Sequence, residues 1–318
     1  MDINTTLTRR RALQLASASL LAATTGTQAM QPRPSFAVTI KALADLERST
    51  GGRLGVALLD TASGQTTGHR MGERFAMCST FKLPLAGAVL REIDHGRLQR
   101  GQWVAYGKAD MVAHAPITTE NLQRGGMTVI ALAEAAQTTS DNPAANLLLK
   151  LLGGPAGFTA ILRAAGDATT RLDRYEPQMN RVIGRDLRDT TTPAAMARTT
   201  AHMLTSSWLS ATSRETLIDW MVATTTGTQR LRAGLPKDWR AGDKTGTGSI
   251  PKVHDKYNDL AIAWPPGKAP LVITAFLETR GSHPDIRDED QAVLAEVGRI
   301  ATAWSRSLSS PNERSAMI

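Results

Sequence analysis

The chain has 318 residues, 42% of them apolar and only 4% aromatic, enough to bury one sizeable core. Its 37 basic and 29 acidic side chains give a net charge of +8, which suits anionic ligands. With no basic run interleaved with aromatics, that charge does not point to nucleic acid. Cys78 is the single cysteine, so no intramolecular disulfide can form. The histidines at 69, 95, 114, 202, 254 and 283 show no His-x-His or His-x-x-x-His spacing. That argues against a zinc hydrolase, and no metal and no cofactor is expected.

The N-terminus reads as a leader. Thr8-Arg9-Arg10-Arg11-Ala12-Leu13 is basic, and residues 12–23 are apolar but too few to span a bilayer. Thr27-Gln28-Ala29 then ends on a small residue, which predicts cleavage before Met30. The arginines have a twin-arginine look, although Ala12 replaces the bulky residue such leaders prefer. A signal peptide over 1–29 predicts a periplasmic or secreted protein with no membrane contact after processing.

Phe36, Val38, Ile40, Leu43 and Leu46 predict an amphipathic helix ending at Gly51-Gly52. A strand over Leu54–Asp60 follows, with a turn at Ala62-Ser63-Gly64 and a partner strand beyond it. From Ser79 to about Val222 the chain reads as mostly helical. Strand character returns over Arg240–Thr247, Asp259–Trp264 and Leu271–Leu277. A last helix over Asp285–Ser307 carries Val293, Val297, Ile300 and Trp304 on one face. These elements predict an α/β fold of the α+β type: one antiparallel sheet covered by the terminal helices, with an all-α lobe inserted. Residues 30–318 form a single domain in this reading. Its α/β lobe takes about 30–78 and 226–318, its all-α lobe about 79–225, and the active site lies between them.

Three strings carry the chemistry: Ser79-Thr80-Phe81-Lys82, Ser140-Asp141-Asn142 and Lys244-Thr245-Gly246. Ser-x-x-Lys alone is weak, since about one arises by chance in a chain this long. A second match, Ser249 to Lys252, has Pro251 inside it, which would break the turn that aligns the two polar groups. Each of the other two strings arises by chance in roughly one chain in twenty, and here both follow in order. Ser79 and Lys82, three residues apart, share a helical face. A serine needs a base to become nucleophilic, and Lys82 serves if burial or nearby cations lower its pKa. Cys78 beside Ser79 lacks the partners of a cysteine nucleophile and reads as a buried, inert thiol.

In this order the strings resemble those of the class A serine β-lactamases and their penicillin-recognising relatives. The stretch Arg171-Leu172-Asp173-Arg174-Tyr175-Glu176-Pro177-Gln178-Met179-Asn180 is similar to the omega loop of that family. The likeness runs from about Phe36 to Ser307. It implies hydrolysis of penicillin- and cephalosporin-type amides through an acyl-enzyme on Ser79, and so antibiotic resistance. It further implies that Ser140 hands a proton to the β-lactam nitrogen, and that Asn142 binds the acylamide and positions Lys82. Asp141 is expected to organise its loop, and Glu176 with Asn180 to deliver the deacylating water. Lys82 and Glu176 remain rival acylation bases.

By the same resemblance, the N–H groups of Ser79 and Thr247 form an oxyanion hole. Lys244, Thr245, Gly246 and Thr247 line the substrate strand, and Lys244, Thr245, Thr247 and an arginine receive the substrate carboxylate. Many members supply that arginine from the strand after Lys-Thr-Gly, but Thr247 to Trp264 holds none here. A minority carry it ahead of Leu-Arg-x-Gly-Leu-Pro, where this chain has Arg230 before Leu231-Arg232-Ala233-Gly234-Leu235-Pro236, with Arg232 the other candidate. Arg232 looks structural in the family. Arg174 and Asp189 match an ion pair closing the omega loop, and Glu176-Pro177 a cis bond. His114 is either a wall of the cleft mouth or a solvated ring. Residues 249–257 exceed the family's usual connection, and either reshape the cleft edge or form a neutral surface loop. A D,D-peptidase and a β-lactam sensor share the three strings, but Glu176 with Asn180 serves deacylation and argues against both. β-Lactams are the expected partners, bound by a monomer.

Overall fold

The computed structural model describes residues 34–250 and 253–308. The leader expected over 1–29 lies outside the described residues, as do Pro251 and Lys252. Helix α1 (Pro34–Thr50) buries Leu43 and ends where Gly51 takes φ +65°, a left-handed stop that suits glycine. Strand β1 (Arg53–Asp60) turns back through Gly64 into β2 (Thr66–His69). Three long strands late in the chain, β7 (Arg240–Ile250), β8 (Val253–Trp264) and β9 (Leu271–Glu278), complete one antiparallel sheet in the order β2-β1-β9-β8-β7.

The sheet is buried on both faces because its strands alternate between two cores. Leu54, Val56, Leu58, Ile273 and Leu277 pack with Leu43 and with Leu294, Val297 and Trp304 of α9 (Asp288–Ser307). Phe36 meets the Trp304 ring edge-on at 6.0 Å. Ala57, Leu59, Val272, Phe276 and Ile262 face the other way, into the helical part of the chain. That part comprises α2 (Lys82–Asp94), α3 (Pro116–Glu120), α4 (Val129–Thr138), α5 (Asn142–Leu151), α6 (Gly154–Ala164), α7 (Pro193–Thr205) and α8 (Ala211–Ala223). Every residue of α2 from Lys82 to Leu90 is buried, so the other helices pack around it. Side-chain caps start four helices: Thr128 for α4, Asp141 for α5, Thr192 for α7 and Ser210 for α8.

Three features differ from the sequence reading. Two short antiparallel pairs interrupt the helical middle: β3 (Phe75–Ala76) with β6 (Thr190–Thr191), and β4 (Trp103–Ala105) with β5 (Gly126–Thr128). Helix α9 begins at Asp288, three residues after the expected Asp285, because the preceding loop is tied to β8 instead. Within 249–257 the described residues lie in paired strand rather than loop. Gly248 opposes Lys256 and Ile250 opposes Val253, with a register shift between Gly248 and Ile250. On its other edge, Lys256 pairs with Glu278 and Tyr257 with Leu277 of β9. The ladder itself holds this extension, so it needs no apolar alternation to declare it.

Glu47 ties α1 to the sheet. Its carboxylate accepts from the Leu54 N–H at 2.8 Å and from two Arg70 nitrogens at 2.6 and 2.8 Å. Burial opposes its charge, but the bonds from Arg70, Leu54 and His69 prevail and hold its pKa at about 2, below the usual 4.5. The stability this supplies is complete above pH 4.5 and is lost as the pH falls toward 2. Acid titration followed by circular dichroism should therefore show Glu47→Gln losing stability at neutral pH, with a flatter decline over that window. An unchanged acid limb in the variant would contradict this assignment.

Candidate active site

Ser79 sits in a tight 3-10 turn, Cys78–Phe81, that runs directly into α2 at Lys82. Thr80 and Phe81 are fully buried, which anchors the turn and leaves Ser79 half-exposed at the cleft. Pro84 lies in the first turn of α2, where a missing N–H costs little. Cys78 points away into apolar surroundings, and burial pushes its thiol up to about 12, so no thiolate competes.

Lys82 Nζ donates to Ser79 Oγ at 2.9 Å, to the Ser140 carbonyl at 2.8 Å and to Asn142 Oδ1. It also lies 3.2 Å from Glu176 Oε1. Burial lowers its pKa, while the Glu176 charge works the other way. Ser79 Oγ in turn donates to Glu176 Oε1 at 3.3 Å. One hydroxyl is thus within reach of both candidate bases.

Ser140 adopts a left-handed backbone, φ +63°, held by its neighbour. The Asp141 carboxylate caps α5 at Ala144 N and accepts from the N–H groups of Ile117 and Thr118 and from the Thr118 hydroxyl. Asp141 therefore fixes the loop and turns Ser140 and Asn142 toward Lys82. Ser140 Oγ lies 3.3 Å from Lys82 Nζ and 3.1 Å from Lys244 Nζ. Lys244 is fully buried, and burial together with the Lys82 charge drops its pKa well below the usual lysine value. Asn142 Nδ2 donates to the Ala113 carbonyl, and the His114 carbonyl accepts from the Asn142 N–H. His114 itself is exposed, at φ +61°, with Nε2 2.9 Å from the Thr139 carbonyl.

Glu176 is 2% exposed and enters through a cis peptide bond to Pro177. Asn180 Nδ2 donates to Glu176 Oε2 at 2.6 Å. Asn146 brackets the Glu176 backbone: its Nδ2 donates to the Glu176 carbonyl and its Oδ1 accepts the Glu176 N–H, both at 2.9 Å. The loop closes on Asp189, which accepts from Arg174 Nε at 2.5 Å and from the Asp173 and Arg174 N–H groups at 2.7 and 3.0 Å.

Strand β7 lies against the Ser79 turn. A Cβ on Gly246 would stand 2.8 Å from the Met77 carbonyl and 3.0 Å from Thr80 N, so only glycine permits this approach. Thr245 Oγ1 pairs with Thr226 Oγ1 at 2.7 Å, and Thr247 Oγ1 accepts from Arg230 Nη2 at 2.6 Å. Arg230 is 3% exposed, and its hydrogen bonds go to neutral oxygens: the carbonyls of Gly246 and Asn258, Thr247 Oγ1 and Gln291 Oε1. Arg232 instead pairs with buried Asp243 at 3.0 Å and holds the Thr224 carbonyl. Ser79, His114, Ser140, Asn142, Asn180, Thr226, Arg230, Thr245, Thr247, Ile286 and Gln291 line one cavity of about 290 Å³.

Comparisons with known proteins point to one family. A family model described as "Beta-lactamase enzyme family" matches residues 36–305. β-Lactamase L2 of Stenotrophomonas maltophilia is 45% identical over 306 residues, covering 93% of this chain and 98% of that protein. β-Lactamase AST-1 of Nocardia asteroides is 48% identical over 264 residues, 83% of each. A solved ancestral class A β-lactamase superposes with a TM-score of 0.78 at 54% identity, covering 82% of this chain and 98% of that one. A β-lactamase from Xanthomonas campestris superposes with a TM-score of 0.80 at 44% identity, over 85% and 98%.

The chain belongs to the class A β-lactamases. It is a hydrolase that opens the β-lactam amide and so confers antibiotic resistance. Sequence reasoning overlooked Asn146, Thr226, Ile286 and Gln291 in this β-lactamase cleft. Asn146 carried a usable signal: it lies four residues after Asn142, on the same face of α5. The other three are brought in by long-range packing. Removing Asn146 would leave a buried N–H and carbonyl of Glu176 unpaired, at a cost of about 1–3 kcal/mol. Asn146→Ala should lower the melting temperature and, in stopped-flow assays, slow deacylation more than acylation. Unchanged rates for both steps in the folded variant would show that Asn146 does not act through Glu176.

Proposed function

We propose that Ser79 is the nucleophile and that Lys82 and Glu176 together take its proton. The supporting observation is the position of Ser79 Oγ, 2.9 Å from Lys82 Nζ and 3.3 Å from Glu176 Oε1. Because these two groups are 3.2 Å apart, either route leaves the pair holding the proton. Ser79 Oγ bonds to the β-lactam carbonyl carbon, and the oxyanion faces the N–H groups of Ser79 and Thr247. The carbon–nitrogen bond then breaks. The ring nitrogen takes the Ser140 hydroxyl proton, which Lys82 replaces across 3.3 Å. For deacylation, Glu176 with Asn180 orients a water and accepts its proton as the hydroxide attacks the ester. Ser79 leaves and is reprotonated, and the pair is restored.

In this reading Arg230 binds the substrate carboxylate beside Thr245 and Thr247. Among the described residues its buried guanidinium hydrogen-bonds to neutral oxygens, and burial, opposed by the charges of Asp259 and Asp243, pulls its pKa below the usual value. An incoming carboxylate relieves that penalty and offers a charge-assisted bond. Asn142 binds the acylamide, with His114 walling that side. β-Lactams are the partners, and a monomer suffices, since every side chain invoked comes from this one chain. The basic and apolar order of residues 8–29 supports export to the periplasm.

After brief penicillin exposure, Glu176→Gln should accumulate an adduct that mass spectrometry locates on the Ser79 peptide. A D,D-peptidase or a sensor would already hold such an adduct in the unaltered protein. Full turnover by Glu176→Gln would assign deacylation to another base. Arg230→Ala should lose about 1.5–3 kcal/mol of transition-state binding, a fall in kcat/KM of roughly tenfold or more. Unchanged catalysis in Arg230→Ala, with collapse in a well-folded Arg232→Ala, would move the carboxylate site to Arg232.

A further inference from the structure

The β7–β8 extension is bound to the loop that precedes α9. Asp255 is 1% exposed, and one of its oxygens accepts both the His283 N–H at 2.7 Å and His283 Nδ1 at 2.9 Å. Across the extension, Ser249 Oγ donates to the His283 carbonyl at 3.1 Å. The Asp255 backbone adds bonds with Gly281 and Thr279 at 3.0 and 2.9 Å. On its far side, His283 Nε2 lies 2.7 Å from Arg287 Nη1. A guanidinium can only donate, so Nε2 accepts and the imidazole proton sits on Nδ1, toward Asp255. The Arg287 N–H donates to the Tyr257 hydroxyl at 2.9 Å, and its side chain pairs with Asp290 at 2.9 Å. The loop is therefore held at His283 and at Arg287 by groups of β8.

Ile286 lies between those anchors. It is 59% exposed and lines the cavity that holds Ser79, Arg230 and Thr247. A lone exposed isoleucine is ordinary on a protein surface. This one differs because its backbone is fixed immediately beside it and its side chain faces the substrate cleft.

We propose that the extended hairpin is a positioning arm: Asp255 and Ser249 fix residues 281–287 so that Ile286 forms an apolar wall of the cleft beside Arg230. Ile286 then selects β-lactams with an apolar substituent on the ring carbon next to the one bearing the carboxylate. This rests on the reading of Arg230 as the carboxylate anchor. With the carboxylate at Arg230, the carbonyl at Ser79 and the acylamide toward Asn142, that substituent is the part directed at Ile286. Asp255, Ser249 and His283 are positioning residues, and Ile286 is the group that touches substrate.

The test compares two cephalosporins differing only at ring carbon 3, one with an aromatic substituent and one with methyl. Ile286→Ser should raise KM for the aromatic compound, relative to the methyl one, by roughly fivefold. Asp255→Ala should shift the same ratio in the same direction, and should add nothing further in the Ile286→Ser background. Thermal melts establish that each variant is folded. An unchanged ratio in folded Ile286→Ser overturns the proposal. So does an Asp255→Ala shift of equal size in both backgrounds, which would make Asp255 a general stabiliser. If Arg230→Ala leaves catalysis intact, the carboxylate reading fails on its own account, whereas an altered Arg230→Ala beside an unaltered ratio isolates the failure to the arm.

Discussion

Two ammonium groups buried on either side of one serine hydroxyl set the terms for the whole site. Lys82 and Lys244 are both fully buried, and Ser140 Oγ lies 3.3 Å from the first and 3.1 Å from the second. Like charges in a poorly polarisable interior repel, and burial disfavours each of them separately. Glu176, at 3.2 Å from Lys82, is the carboxylate in direct contact. Behind Lys244 stand Asp243 and Asp259, whose own burial pushes Asp243 up to about 6 and Asp259 well above the carboxylate range. Their counter-charge is thereby weakened. With Arg230 added, three buried cations stand around the cleft, faced by the buried carboxylates of Glu176, Asp141, Asp243 and Asp259.

Such an arrangement costs stability locally, so rigid anchors must hold it. Four segments converge, and each is fixed by a device outside the chemistry. The Ser79 turn is held by the burial of Thr80 and Phe81. Ser140 and Asn142 are oriented by the several bonds of Asp141. Glu176 is gripped by Asn146 and, more distantly, by the closure at Asp189. Lys244 and Thr247 come close because Gly246 has no side chain to hold the strand off the turn. The reactive groups therefore do not choose their own positions, and strained conformations such as φ +63° at Ser140 persist because their neighbours over-determine them.

What was legible in the sequence was what chain-local geometry determines. Ser79 with Lys82 and Glu176 with Asn180 lie three and four residues apart, so spacing alone juxtaposes them. The unbroken apolar run from Leu54 to Leu59 marked a strand because both of its faces are buried. The hairpin extension gave no such sign. Ser249, His254, Asp255 and Lys256 are polar, and a strand end whose side chains need no apolar core lacks the periodicity that betrays a strand. Gln291 and Ile286 were equally silent, since they reach the cleft only through the packing of α9 and its preceding loop against β8. The two short strand pairs were missed for a similar reason: two or three residues are too few to show a period.

The proximity of Lys82, Glu176 and Ser79 also bears on what a single acylation base means here. When two groups lie 3.2 Å apart in a buried site, the protonation of one depends on the other, and the protons belong to the pair. Lys82 is lowered by burial and raised by Glu176; altering Glu176 changes both terms at once. A substitution at either residue thus reports the behaviour of a changed pair, not of the remaining partner alone. In the proposed mechanism the proton-accepting role therefore falls to the Lys82–Glu176 unit. In that mechanism the two residues become separable only in the second half-reaction, because Asn180 binds Glu176 Oε2 and sets that side of the carboxylate apart from the Oε1 side that meets Lys82.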